Sequence, residues 1–276
     1  MAAGYDADRI RGFYDDFAER EWERLDDNPR ARVIFHVHRW YLQQFIEPGQ
    51  HVLDAGAGPG RFSIELAKLG ATVTVGDISP RQLNLNRQKL QEAGLESRVA
   101  QRVPLDIVDC SQFADESFDA VVCYGSPLSY VQERAGDAIG ELLRVTKRGG
   151  HLLLSVTSRL NVYLPVLIDW VRDDGIDATG RYLATGGPDD VEDSGHPMHC
   201  YTWSELKALL ERHPAADIVA VSASNYMASI SAIPSLEEIE RDPVFWQAFL
   251  EWEVEICKEP GVLDVGSHII AVVRRR

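Results

Sequence analysis

Apolar positions change their period along this chain, and each change marks an element. Up to about residue 46 they recur at helical spacing. Ile10, Phe13, Phe17 and Trp22 do so in "IRGFYDDFAEREWERL", and Val33, Val37, Trp40, Tyr41 and Phe45 continue on a second face. Pro48-Gly49 breaks the run, and "HVLDAG" reads as a buried strand. Helices and strands then alternate. "RFSIELAKLG" predicts a helix closed at Gly70, and "TVTVGD" a β-branched strand. "SPRQLNLNRQKLQEAG" predicts a helix with Ser79 as N-cap and Pro80 at its first position. "VAQRVPLD" and "SFDAVVCYG" predict two further strands. "GDAIGELLRVTKRGG" then predicts a helix closed by Gly149-Gly150, and "HLLLSVTS" a fifth strand. This alternation implies an α/β fold with a parallel sheet and helices on both faces.

The rhythm stops near residue 160. Residues 160–200 read as irregular and rich in Asp and Gly, with a short apolar helix around "VYLPVLIDWV", as expected of a lid insertion. A helix follows, with Thr202 and Glu205 at capping-box spacing. "DIVAVSAS" and "SHIIAVVRR" predict the last two strands, paired as an antiparallel edge around a helical excursion at about 235–258. The expected organisation is an N-terminal helical cap over 1–47 and a main domain over 48–276.

Composition narrows the partners. The 276 residues carry 43 acidic against 28 basic side chains, a net charge of −15, which disfavours a phosphate-backbone partner. Arg274-Arg275-Arg276, the densest basic run, reads as a solvated tail. The opening residues show no basic segment followed by an apolar one, and no eighteen apolar residues run together. Cys110, Cys123, Cys200 and Cys257 lack C-x-x-C spacing and read as reduced thiols. The expectation is a cytoplasmic chain with no membrane segment and no nucleic-acid partner; oligomeric state is left open.

"HVLDAGAGPGRF" places Gly56, Gly58 and Gly60 directly after the first strand, where glycine lets a ligand approach the backbone. A dinucleotide fingerprint needs a third glycine where Arg61 stands. A phosphate cradle needs a lysine and a longer spacing that this loop lacks. "VLDAGAGPG" resembles instead the first motif of class I S-adenosylmethionine-dependent methyltransferases. The likeness runs over roughly residues 50–158, and the group typified by ubiquinone/menaquinone-biosynthesis methyltransferases is the most similar. It implies a doubly wound, Rossmann-like, mostly parallel seven-stranded sheet with an antiparallel edge strand. It further implies S-adenosyl-L-methionine as cofactor and S-adenosyl-L-homocysteine as product.

Residue by residue, the likeness implies that Asp54, Ala55 and the loop glycines meet the methionine end, with the Asp54 carboxylate near its ammonium. Asp77, followed by Ile78, accepts from the ribose hydroxyls; a plain helix N-terminal charge is the bland alternative for Asp77. Asp106 reads the adenine amine with Ile107 on the ring, and Asp109 takes that place in a shifted alignment. Tyr14 in "FYDDFAE" closes over the cofactor or is a core aromatic, with Trp22 a weaker candidate. Tyr124, in "CYGSPLSYV", faces the methyl group or packs in the core, and Ser126 is a further contact. The Asn/Asp-Pro-Pro-aromatic signature of amide and nucleobase methylation is missing there.

"GHPMHCYTW" offers His199 and Tyr201 as catalytic candidates lining an acceptor pocket, a histidine serving as general base. The alternative is a histidine held by loop hydrogen bonds. His196 and His199 have metal-like spacing, but no second ligand pair accompanies them, and no metal is expected. The acidic stretch from Asp169 to Asp193 reads as solvent-facing, or else as favouring a cationic acceptor. The function expected is methyl transfer to a small-molecule acceptor, with the atom methylated undetermined. The competing readings are a non-catalytic cofactor-binding regulator, an RNA- or protein-directed methyltransferase, and a nicotinamide-dependent oxidoreductase.

Overall fold

The computed structural model describes residues 4–24, 26–187 and 198–276. The N-terminal cap consists of α1 (Ala7–Phe17), α2 (Arg20–Glu23) and α3 (Pro29–Phe45). Asp6 caps α1 through two backbone N–H groups, and Asn28 caps α3, whose first position is Pro29. Seven strands follow: β1 (His51–Ala55), β2 (Thr72–Asp77), β3 (Val99–Pro104), β4 (Phe118–Cys123), β5 (Thr146–Thr157), β6 (Ala216–Ala223) and β7 (His268–Arg275). Between β1 and β2 lies α4 (Arg61–Lys68), and between β2 and β3 lies α5 (Pro80–Glu92).

The sheet order is β3-β2-β1-β4-β5-β7-β6. Strands β1 to β5 run parallel, and β7 lies antiparallel between β5 and the edge strand β6. The expected doubly wound architecture is therefore present, with β7 inserted inside the edge. Strand order reverses between β1 and β4, so a crevice opens beyond their carboxyl ends, the usual ligand position in such sheets. Alternate residues feed opposite cores, as the two-residue period of a strand requires. Leu53, Val121, Leu152 and Leu154 pack with Ile139 and Leu142 on one face. Val52, Val75, Val122 and Leu153 pack with Leu42 and Leu66 on the other.

Several boundaries differ from the sequence expectation. The helix before β5, Ala135–Val145, ends short of Gly149-Gly150, which lie inside β5. A Cβ at Gly150 would strike the Asp119 carbonyl, so the glycine serves close strand approach rather than helix closure. The segment expected to be irregular around one short helix carries three, Arg159–Tyr163, Leu167–Asp173 and Ile176–Thr185, the second within the expected one's stretch. The rest of the 160–200 lid, including His196 and the carboxylates from Asp189 to Asp193, lies outside the described residues. The excursion near 235–258 is two helices, Ile233–Glu240 and Pro243–Ile256, with Asp242 capping the second. The C-terminal arginines are not a free tail. Arg274 and Arg276 pair with Asp217, and Arg275 donates to the Arg144 and Thr146 carbonyls.

Candidate active site

The loop after β1 is held from beneath. Gly56 and Ala57 donate to the Gly76 carbonyl of β2 at 2.8 and 3.0 Å. Gly56, Gly58 and Gly60 all have positive φ, at 76°, 52° and 99°. A Cβ on Gly56 would overlap the Pro127 ring, so glycine is required there on two grounds. Gly58 donates to Asp77 Oδ2 at 2.7 Å, and Ser79 donates to Asp77 Oδ1 at 2.8 Å. Each oxygen of this buried carboxylate is thus oriented by one backbone N–H, with lone pairs to spare. Burial raises the Asp77 pKa to about 6, the Ser79 and Gly58 hydrogen bonds oppose that, and the nearby Glu21 and Asp15 charges add to it.

A concave pocket lies over this loop, the usual setting of a small-molecule site. Of the residues expected to bind a cofactor, Tyr14, Gly56, Gly58, Asp77, Ile78, Asp106, Ile107 and Tyr124 line it. Asp106 Oδ1 accepts from Val108 N at 3.0 Å, and its carboxylate also accepts from the Tyr5 hydroxyl. Asp109 is exposed and lies outside the lining, its carboxylate turned to Ser111 N. The Tyr14 hydroxyl hydrogen-bonds that of Tyr130, and their rings meet edge to face at 5.7 Å.

Asp54, Ala55 and Gly60 lie beneath the loop rather than along the cavity. Asp54 is 1% exposed and accepts from Ser63 Oγ at 2.6 Å, and Asn86 donates to that hydroxyl at 3.0 Å. Burial pushes the Asp54 pKa up to about 7, against the Ser63 hydrogen bond. Gly60 is the left-handed N-cap of α4, and a Cβ there would lie 2.7 Å from Asn86 Nδ2. These residues shape the loop through the α4–α5 contact.

Reasoning from sequence missed the wall supplied by the cap. Tyr5, Ile10, Glu21 and Arg24 line the cavity. Arg24 Nη2 pairs with Glu21 Oε1 at 2.5 Å, Glu21 lies beside Gly58, and Arg24 reaches over Gly125. The signal was the string "EREWERL", which read as an amphipathic helix and hid a charge pair aimed inward. The cap is clamped onto α5. Ser79 Oγ donates to Asp15 Oδ1 at 2.5 Å, and Gln82 Nε2 to the Tyr14 and Ala18 carbonyls at 3.1 and 3.2 Å. Trp22 stays outside the cavity, its ring 4.0 Å from the Arg61 guanidinium, which also donates to the Trp22 carbonyl.

His199 and Tyr201 do not line the cavity. Their rings meet at 4.4 Å, His199 N donates to the Ser129 carbonyl, and Tyr201 bridges to Ser158 at the end of β5. Burial lowers the His199 pKa and raises that of Tyr201. Among the described residues, no three His, Cys, Asp or Glu side chains are placed to hold a metal, and no helix is long and apolar enough to cross a membrane.

Beyond β4 the chain makes a sharp turn. Gly125 and Ser126 both have positive φ, 82° and 71°, and Gly125 N donates to Ser155 Oγ of β5 at 3.1 Å. Left-handed backbone at a non-glycine residue such as Ser126 is held by its surroundings at a cost of about 1–3 kcal/mol and is frequent at functional sites.

Residues 52–150 match the family described as "Methyltransferase domain". Ubiquinone biosynthesis O-methyltransferase of Xanthomonas axonopodis pv. citri is 32% identical over 143 residues, covering 51% of this chain and 58% of that protein. Demethylmenaquinone methyltransferase of Clavibacter sepedonicus is 40% identical over 106 residues, covering 38% of this chain and 40% of that protein. The matched segment thus spans roughly half the length of these relatives. A solved structure of a SAM-dependent methyltransferase from Methanosarcina mazei shares the fold, with a TM-score of 0.57 and 19% identity over 85% of this chain and 96% of that one. The resemblance to S-adenosylmethionine-dependent methyltransferases holds over the segment that builds the glycine loop and strands β1 to β4.

Proposed function

We propose that this chain, whose residues 52–150 match the methyltransferase-domain family, binds S-adenosylmethionine in the cavity and methylates a small-molecule acceptor, leaving S-adenosylhomocysteine. The observation that carries this reading is the chemistry of two features along the cavity wall. One is Asp77, with both oxygens oriented by backbone N–H groups, and the other, beside Gly58, is the Glu21–Arg24 ion pair. A ribose diol donates two hydroxyls to a carboxylate, and an amino-acid zwitterion matches a carboxylate–guanidinium pair. A dinucleotide or nucleoside phosphate offers no ammonium to Glu21. The cavity residues fit the sulfonium cofactor.

In this reading Asp77 accepts from the ribose, Asp106 from the adenine amine, and Ile78 and Ile107 pack beside them. Glu21 faces the methionine ammonium and Arg24 its carboxylate. Asp54 acts from below by fixing the loop through Ser63. Tyr14 and Tyr124 line the cavity beside the sulfonium. The cap over residues 1–47 is part of the binding site, not an appendage. His199 and Tyr201 have no assigned role. When bound, the cofactor supplies an electrophilic methyl group. The protein supplies alignment and exclusion of water, for which oriented partners gain effective molarities of about 10⁵ M or more.

A small acceptor fits the net charge of −15, which opposes an RNA partner. Isothermal calorimetry with S-adenosylmethionine, S-adenosylhomocysteine and NAD tests the reading. Binding of the first two without NAD is expected, and NAD binding with no sulfonium binding contradicts it.

A further inference from the structure

One buried side chain joins parts of the cavity wall that are far apart in sequence, without lining the cavity itself. Gln82, in the first turn of α5, is fully buried. Its Nε2 donates to the Tyr14 carbonyl at 3.1 Å and to the Ala18 carbonyl at 3.2 Å, which engages both amide hydrogens. The reverse amide orientation would set Oε1 against two carbonyl oxygens, neither of which can donate. Oε1 is itself buried with no hydrogen-bond partner. An unpaired buried acceptor is unfavourable, so what the amide contributes lies in its two donated bonds.

Those bonds hold a strained turn. Ala18 closes α1 with φ 47° and ψ −122°, outside the regions open to a residue with a side chain. Its carbonyl accepts from Gln82 and also, at 3.2 Å, from the backbone N–H of Glu21, whose carboxylate pairs with Arg24 on the cavity wall. On the other side, Gln82 N donates to Ser79 Oγ at 3.0 Å, and Ser79 N donates to Asp77 Oδ1 at 2.8 Å. A continuous set of hydrogen bonds therefore runs from Asp77 through Ser79, Gln82 and Ala18 to Glu21. We propose that Gln82 is a positioning residue for recognition of the cofactor's amino-acid group, acting through the Ala18 turn on the Glu21–Arg24 pair. This rests on the cofactor reading above.

A plain cap for the last carbonyls of α1 is the competing role. Those carbonyls do not depend on Gln82 for a partner, since Ala18 N donates to the Tyr14 carbonyl at 3.1 Å and Glu21 N serves the Ala18 carbonyl. Two other ties reach the same stretch. The Arg81–Glu19 contact is exposed on both sides and worth little, and Arg61 donates to the Trp22 carbonyl. Neither bears on the Ala18 backbone. Without the Gln82 bonds the strain at Ala18 is free to relax, and the start of α2, which carries Glu21 and leads to Arg24, moves with it.

The test compares S-adenosylmethionine with 5′-methylthioadenosine, which keeps the adenosine and the sulfur and has no amino acid. Gln82→Met keeps the side-chain length, removes the unpaired acceptor and leaves each carbonyl one partner, so the fold is retained. By calorimetry, Q82M should weaken S-adenosylmethionine about tenfold, the size of one lost buried hydrogen bond, and leave 5′-methylthioadenosine unchanged. Gln82→Glu at pH 8, with the same shape and no amide donor, should give the same split and serves where Q82M folds poorly. Adding Ala18→Gly to either variant should recover most of the loss, because glycine takes that backbone without strain. In a Glu21→Gln background Q82M should cost far less, since the group it positions has lost its charge. Equal losses for the two ligands, no loss for either, a loss that A18G does not recover, or Q82M and E21Q effects that simply multiply overturns the proposal. Failure of the parent protein to bind S-adenosylmethionine at all would instead defeat the cofactor reading.

Discussion

The carboxyl edge of the sheet has two halves of opposite construction. Beyond β1, β2 and β3, polar groups satisfy one another: Gly58 and Ser79 hold Asp77, Val108 and Tyr5 hold Asp106, and Ser63 holds Asp54. Beyond β4, β5 and β7, the polar atoms of His38, Tyr124 and Ser126 stand unpaired, and the backbone turns through two left-handed residues. The first half is a rigid receptor whose ligand adds hydrogen bonds to oriented oxygens. Such a division suits a transferase that uses one donor and selects its acceptor separately.

The strongest way to break the comparison is to spoil the rigid half. Gly56→Val drives a branched side chain into the Pro127 ring at φ 76°, so cofactor binding by calorimetry should vanish. Retained binding would show that the loop is softer than described. Asp77→Ala should weaken S-adenosylmethionine by about 1–3 kcal/mol, since it removes the diol acceptor and frees Gly58 N. Glu21→Gln should weaken the same cofactor by roughly 1–2 kcal/mol, the size of a charge-assisted hydrogen bond, yet leave 5′-methylthioadenosine unchanged. Equal losses for both ligands would remove Glu21 from the methionine end.

A smaller effect follows from Asp54. Its folded pKa, about 7, lies above the ordinary value, so the folded state holds a proton that the unfolded chain has lost. That contribution to stability is full below about pH 4 and disappears as pH rises to about 7, and Asp77 acts in the same direction up to about 6. Asp54→Asn keeps an acceptor for Ser63 and has no proton to lose. Urea denaturation should show it more stable than the parent by about 1 kcal/mol at pH 8, with the advantage fading by pH 5. Cofactor affinity should rise over the same interval, because diol donors favour ionised Asp77. The smallest effect concerns the unpaired half. Ser126→Gly relieves left-handed strain and should raise stability to urea by about 1 kcal/mol; no gain would show that the turn holds Ser126 at no cost.

The rigid half was the legible one because its residues sit at fixed offsets from strand ends. Gly56, Gly58, Asp77 and Asp106 each follow a β-run that hydropathy reveals, and all four line the cavity. Asp54 belongs to the same motif, yet its side chain falls on the inner side of the loop, a difference that spacing does not encode. The unpaired half was not legible. His38 and His268 are 230 positions apart, and only the packing of α3 against the start of β7 brings their rings together. Nothing in the residues flanking His38 marks it. "GHPMHCYTW" drew attention for its residue types, but His199 and Tyr201 pack beside Ser129 and Ser158, away from the cavity. Of the helices over residues 159–185 only the apolar stretch around "VYLPVLIDWV" was read as helical, because Gly and Asp at 173–175 and 180 imitate loop composition.

A crystal structure with S-adenosylhomocysteine bound tests the central claim most directly. The account predicts the ribose hydroxyls on Asp77, the amino-acid end between Glu21 and Arg24, and the sulfur against Tyr124 and Gly125 on the side of His38. An amino-acid end on Asp54, or a sulfur directed away from β4, would contradict it.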